Sequence, residues 1–212
     1  MKCPNCSMPF PEGIIKQLYM CPFCLADLKG RRASRISAQG RCTVGSFTDS
    51  RDGNVYKTVK IGNQVWLAEN FRFNNTDSYG YENNPENDKI YGRLYTWKAA
   101  MSCAPDGWHL PEKEEWDELF GFADKHARSL TGVALKSKEM NGSDEFGFCA
   151  ISAGCRNQHE FFYGNQDNAF FWCATKWGFT SPYAVNLYKH YVHHSIEGLS
   201  MHYAFSVRLV KD

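Results

Sequence analysis

Four cysteines near the start of the chain carry its clearest chemistry: Cys3 and Cys6 in CPNC, then Cys21 and Cys24 in CPFC. Two residues separate the thiols within each pair, and fourteen separate the pairs. A two-residue gap lets one tight turn aim two thiolates at a single ion. Two such turns complete the tetrahedral four-sulfur set that zinc favours. With no position left for water the site is structural, so the expected cofactor is one Zn2+ held by Cys3, Cys6, Cys21 and Cys24. Its binding energy would fold a segment of about 30 residues that is too small to build its own core.

The rest of the chain must supply everything that zinc does not hold together. It has 212 residues, 43% of them hydrophobic and 15% aromatic, which is enough for one sizeable core beside a small satellite domain. Its 24 Lys and Arg nearly cancel 23 Asp and Glu, so no global field draws in nucleic acid or an anionic membrane. No apolar leader precedes Cys3, and there is no run of about 18 apolar residues; the expected location is the cytoplasm, with no membrane partner. Disulfides do not persist there, which favours metal ligation for closely spaced cysteines. After the cysteine segment, KGRRASRISAQGR sets Lys29, Arg31, Arg32, Arg35 and Arg41 among Gly, Ser and Ala. Residues 29–46 are expected to be a flexible basic linker, with at most a weak phosphate contact through Lys29, Arg31, Arg32 and Arg35.

A larger domain is expected over residues 47–212. In DGNVYKTVKIGNQVWLAENF, Asp52-Gly53 opens a turn, Val55, Val59 and Ile61 fall at even spacing, and Gly62-Asn63 breaks the run before Val65-Trp66-Leu67, which predicts a hairpin. Residues 74–89 are polar and rich in Asn and predict a long solvated loop; its carboxylates Asp77, Glu82, Glu86 and Asp88 lack the regular spacing of a calcium site. RLYTWKAAM predicts a helix with Leu94, Trp97 and Met101 on its inner face and Arg93 and Lys98 outward. LPEKEEWDELFGFA predicts another, with Pro111 at its first helical position and Trp116, Leu119, Phe120 and Ala123 inward. Short aromatic and β-branched runs follow: FGFCAISAG, FFWCAT, YAVNLY and YAFSVRLV. Helices early and strands late describe an α+β domain, two helices on an irregular antiparallel sheet.

Residues 157–206 hold five of the seven histidines, interleaved with tyrosines. Strand alternation in YAVNLY turns Val185 and Leu187 inward and Asn186 and Tyr188 outward. Tyr, Asn and His are the side chains of adaptable contact surfaces, so the candidate ligand-binding residues are Tyr163, Asn165, Trp177, Asn186, Tyr188, His190, Tyr191, His193 and His202. The core beneath is assigned Trp97, Trp116, Val185, Leu187, Phe205 and Val207. A second metal on His190, His193, His194 and His202 is not enforced by any spacing, and His109, in PDGWHLP, reads as a packed structural residue.

Two resemblances sharpen these readings. Residues 1–28 resemble a zinc ribbon, although Ser7 and Leu25 stand where ribbons usually place Gly. DGNVYKTVKIGNQVWLAENF, YGRLYTWKAAM, APDGWHLPEKEEWDEL, GFCAISAGCR, AFFWCAT and FSVRLVKD resemble, in that order, the Fibrobacter succinogenes major paralogous domain family over roughly residues 47–212. That family is similar to the C-type lectin fold, in the branch that also holds formylglycine-generating enzymes and the variable proteins of diversity-generating retroelements. The resemblance implies a C-type-lectin-like domain and leaves function open, because the fold serves sugar binding, protein binding and oxidation alike. The enzyme reading would draw on Cys149, Cys155 and Cys173 as copper ligands, but Cys149 and Cys173 sit in apolar runs, and the lectins' Glu-Pro-Asn and Trp-Asn-Asp signatures are absent. The expectation is a non-catalytic protein that binds a protein or other macromolecule through its C-terminal surface. Nucleic-acid association through the ribbon and linker, and a divergent copper-dependent oxidase, are the alternatives.

Overall fold

The structure, a computed structural model, describes residues 42–165 and 167–212. The zinc ligands Cys3, Cys6, Cys21 and Cys24 and the linker residues Lys29, Arg31, Arg32 and Arg35 lie outside the described residues.

Among the described residues there are three antiparallel sheets and a few helices, most of them short. The first sheet runs β1 (Cys42–Thr48), β2 (Val55–Ile61), β3 (Gln64–Leu67), β13 (Val210–Lys211), β6 (Trp108–His109). The second, β11 (His194–Gly198), β10 (Ser181–Tyr188), β9 (Asn168–Trp177), holds the longest strands. Two-residue strands dominate the third: β4 (Ser78–Tyr79), β5 (Leu94–Thr96), β12 (Ala204–Phe205), β7 (Cys155–Arg156), β8 (Phe162–Tyr163). The helices are α1 (Glu86–Tyr91), α2 (Trp97–Ser102), α3 (Lys113–His126) and α4 (Thr131–Leu135).

The β2–β3 hairpin forms as its alternation predicts, turning at Gly62, which has φ of 62°. α3 starts at Lys113, two residues later than the expected Pro111, behind a capping box in which Glu112 and Glu115 exchange side-chain and backbone bonds, and it buries Trp116, Leu119, Phe120 and Ala123. Three expectations fail. Leu94 belongs to β5, because Thr96 caps the following helix by accepting from Ala99 N at 3.3 Å, and Met101 on α2 is exposed. Residues 74–89 are not a bare loop but contain β4 and most of α1, tied by the ion pair of Asp88 with Arg93. β1 takes residues 42–46 out of the expected linker.

The β9–β10 pair sends apolar side chains into a core on each of its faces. Phe171, Cys173, Val185 and Leu187 enter one, with Trp66, Trp116 and Phe148; Phe170, Trp172 and Ala184 face the other, with Tyr95, Phe205 and Val207. Of the residues assigned to the core, Trp116, Val185, Leu187, Phe205 and Val207 are fully buried, and Trp97 is half-buried with its Nε1 donating to the Cys173 carbonyl at 2.9 Å. Arg208 is the polar pin of the interior: fully buried, it donates to Asn70 Oδ1 and to the carbonyls of Leu67, Phe148 and Cys149 at 2.6–3.0 Å. Burial lowers its pKa to about 10, still far above neutrality, so the guanidinium keeps its charge.

Candidate recognition surface

Register decides which residues of the second sheet share a face. Asn186 lies opposite Phe170 on β9 and Ser195 on β11, while Tyr188 lies opposite Asn168. Asn168, Phe170, Asn186, Tyr188 and Ser195 therefore form one patch of one face. The expectation that Asn186 faces away from Val185 and Leu187 holds, but its exposure does not: only 4% of Asn186 is accessible. Its face is covered by the second core, where Phe205 stacks on Phe170 at 4.8 Å.

The cover produces an aromatic strip that runs from interior to surface. Tyr203 packs on Phe205 at 5.6 Å, Phe205 on Phe170, Phe170 on Tyr188 at 6.5 Å, and Tyr188 on Tyr191 at 5.4 Å. Tyr163, on β8 opposite Cys155, has its phenol held well above the ordinary tyrosine range, by burial first and then by the neighbouring Cys155 and Tyr203, so it remains protonated. Along this strip Asn168 Oδ1, Asn186 Oδ1 and Ser195 Oγ are buried without a hydrogen-bond partner. Buried polar atoms are nearly always paired, so three unpaired atoms on one patch mark a local cost of covering this face.

A buried lysine shapes the exposed end of the strip. Lys136, 1% accessible, donates from Nζ to the carbonyls of Tyr188 at 2.7 Å, Lys189 at 3.2 Å and Tyr191 at 2.7 Å. It thus holds the turn that presents Tyr188, His190 and Tyr191, and burial lowers its pKa to about 8. His190 and His193 are exposed on the same connection, His190 lying 3.5 Å from Asp167 Oδ1. His194 points to the other face and stacks on Phe120 at 3.6 Å. His202 is exposed in the turn before Tyr203, and half-buried Asn165 borders a cavity of about 400 Å³ with Tyr91, Ser137 and Lys189.

Trp177 stands apart from this group. It sits at the β9–β10 hairpin tip, the far end of β10 from Tyr188, roughly 20 Å away at about 3.3 Å per strand residue. The nine candidates thus divide into a strip with its flanking loops and a separate tip. At the tip Trp177 is 61% exposed and Phe179 99% exposed, while Gly198 leaves room for the Trp177 ring, which would collide with any Cβ there. Phe179 escaped the sequence reading; its signal was WGFT, an aromatic residue inside a turn, where no core can receive it. Lys136 and Arg208 were missed too, since nothing local marks a cation as buried.

A second concavity, of about 390 Å³, is lined by Glu69, Asn70, Asp144, Cys149 and Arg208. Cys149 has φ of 51°, and its N–H donates to Asp144 Oδ1 at 2.7 Å while its carbonyl accepts from Arg208. Burial, then the Asp144 charge, raises its thiol pKa, and burial pushes Cys155 and Cys173 up to about 11, so in this environment all three are neutral thiols. Among the described residues no three His, Cys, Asp or Glu side chains converge as a metal-ligating group. No helix among them is long and apolar enough to cross a membrane.

Packed antiparallel sheets with a few helices define a mixed α/β domain. The Fibrobacter succinogenes major domain family matches residues 59–211, and the chain belongs to that family. No curated protein and no solved structure matches it.

Proposed function

We propose that this chain is a non-catalytic recognition protein that binds a macromolecular partner, a protein, through the strip and loops of its last third. The observation that carries this reading is the group of exposed side chains Tyr163, His190, Tyr191, His193 and His202 at and around the open end of the aromatic strip. Rigid phenols supply contact area at low entropic cost, and the exposed imidazoles supply adaptable hydrogen bonding. Tyr163, Asn165, Tyr188, His190, Tyr191, His193 and His202 form the main contact set, Asn186 acts from beneath it, and Trp177 belongs to a second contact at the hairpin tip. On this reading the domain is C-type-lectin-like and of the kind used by retroelement variable proteins, working in the cytoplasm, with a structural zinc on Cys3, Cys6, Cys21 and Cys24 in the tethered N-terminal segment.

The test is affinity measured against a partner identified by crosslinking and mass spectrometry. Replacing Tyr163 and Tyr191 together by Ala is expected to weaken binding at least about tenfold with little change in melting temperature, since exposed substitutions are usually nearly neutral for stability. Unchanged affinity, or copper-dependent oxidation of a thiol substrate, would overturn the reading. Elemental analysis should find one zinc per chain, lost in Cys21→Ser; a zinc-free protein after metal-replete expression would remove the metal assignment alone.

A further inference from the structure

The sheet edges of this domain are guarded, with one exception. β4, β6 and β8 are two residues long, and β11 carries the exposed carboxylate of Glu197. The outer edge of β9 is occupied: Trp172 N donates to Ser206 O, Ser206 N to Phe170 O, Ala174 N to Pro111 O and Gly154 N to Asn168 O. Among the described residues, β1 has none of these protections. Its seven residues, CTVGSFT, contain no charge and no proline, pair with β2 without a bulge, and leave Val44 71% exposed.

The phase of the ladder shows what that edge offers. Asp49 N donates to Asn54 O at 2.9 Å and Gly53 N to Asp49 O at 2.8 Å, so Asp49 faces a bulge formed by Gly53 and Asn54 that occupies a bonded position at the mouth of the hairpin. Bonded pairs alternate in an antiparallel ladder, which assigns Phe47 with Tyr56, Gly45 with Thr58 and Thr43 with Lys60 to the inner bonds. Cys42, Val44, Ser46 and Thr48 therefore turn their N–H and C=O groups away from β2, and no other described residue receives them.

We propose that β1 is a dimerisation edge, on which a second copy of this chain adds its own β1 antiparallel about a two-fold axis through Gly45. In the register that pairs the whole strand, Cys42 meets Thr48, Val44 meets Ser46, and every outward N–H and C=O finds a partner. Gly45 then lies opposite its own counterpart in a non-bonded pair, where Cα atoms approach to about 4.5 Å and side chains crowd most closely. Glycine is the residue that such a centre accepts best; the inner side is also tight, since a Cβ would meet Thr58 Oγ1 at 2.9 Å. An uncharged strand meets its copy without like charges facing each other, and the two five-stranded sheets become continuous.

Sedimentation velocity on the full chain tests this. The wild type is expected at twice its 24.3 kDa mass at tens of micromolar and to dissociate on dilution. Ser46→Pro removes an outward donor without touching the bonds to β2, and Val44→Lys places a charge on the edge; both should be monomeric, with unchanged circular dichroism and urea midpoint. Val55→Lys, at an exposed valine on β2, should leave the dimer intact. In two-dimensional NMR the amides of Val44 and Ser46 should gain exchange protection with concentration, while those of Gly45 and Phe47 stay protected throughout. A wild type that is monomeric at these concentrations overturns the proposal and assigns the edge to another occupant. A dimer that survives both Ser46→Pro and Val44→Lys overturns it in favour of another surface. Should Ser46→Pro fail to fold, Val44→Lys and the amide protection decide alone.

Discussion

Replacing Lys136 by methionine, a side chain of similar length without charge, removes the cation that holds the Tyr188–Tyr191 turn while leaving the cavity filled. The wild-type ammonium makes three bonds to backbone carbonyls, each of a charge-assisted kind worth about 1.5–3 kcal/mol net. Against them stands the burial cost recorded in its pKa, lowered from 10.5 to about 8; at about 1.4 kcal/mol per unit this is about 3 kcal/mol. The difference is a net loss of about 1.5–6 kcal/mol in Lys136→Met at pH 7, or at least about 3 °C in melting temperature for a chain of this size. The pH dependence has a definite sign. Between pH 8 and 10.5 the unfolded chain holds more of this proton than the folded one, so the contribution of Lys136 to wild-type stability rises with pH in that window. The gap between wild type and variant should widen by about 2 kcal/mol from pH 7 to pH 9.5. Tyrosine ionisation is common to both proteins and cancels. The assay is urea unfolding followed by tryptophan fluorescence, which reads the large domain because all six tryptophans lie between residues 66 and 177. A variant as stable as wild type at pH 7 would refute the clamp, and a gap that stays constant to pH 9.5 would refute the buried ammonium.

Two histidines should titrate with opposite signs. His109 bridges Asp212 Oδ1 at 2.6 Å and Glu115 Oε1 at 2.9 Å; burial lowers its pKa, but the hydrogen bonds to Asp212 and Glu115 and their charges outweigh that and leave it raised. Its contribution is therefore full below about pH 6.5 and lost as pH rises through the raised folded value, so Asp212→Asn should cost about 0.5 kcal/mol at pH 5.5 and almost nothing at pH 8.5 in paired urea titrations. His194 is held below its ordinary pKa by burial; Asp124 and Asp117 oppose the shift, His193 reinforces it, and its Nδ1 has no partner. Its stabilising neutral form is present above about pH 6.5 and lost as pH falls through the lowered value, so His194→Phe should flatten the decline in stability between pH 6.5 and 5. An unchanged acid limb in that variant would assign the decline to other groups.

What the sequence determined by itself is local. The 3.6-residue spacing of Trp116, Leu119, Phe120 and Ala123, with acids at the first turn, specifies α3 because a helix buries one stripe whatever lies against it. Two-residue alternation and Gly62-Asn63 specify the β2–β3 hairpin, and alternation in YAVNLY places Val185 and Leu187 on one face and Asn186 and Tyr188 on the other. Alternation says which side a residue takes and never what covers that side. Asn186 is buried because Phe205, far along the chain, returns over its face, and Trp177 parts from Tyr188 because a straight strand separates its ends. Lys136 and Tyr188 are 52 residues apart, and Arg208 meets Leu67 across 141. A buried cation and a surface one have the same local neighbours in sequence, and only the tertiary structure supplies the carbonyls that tell them apart.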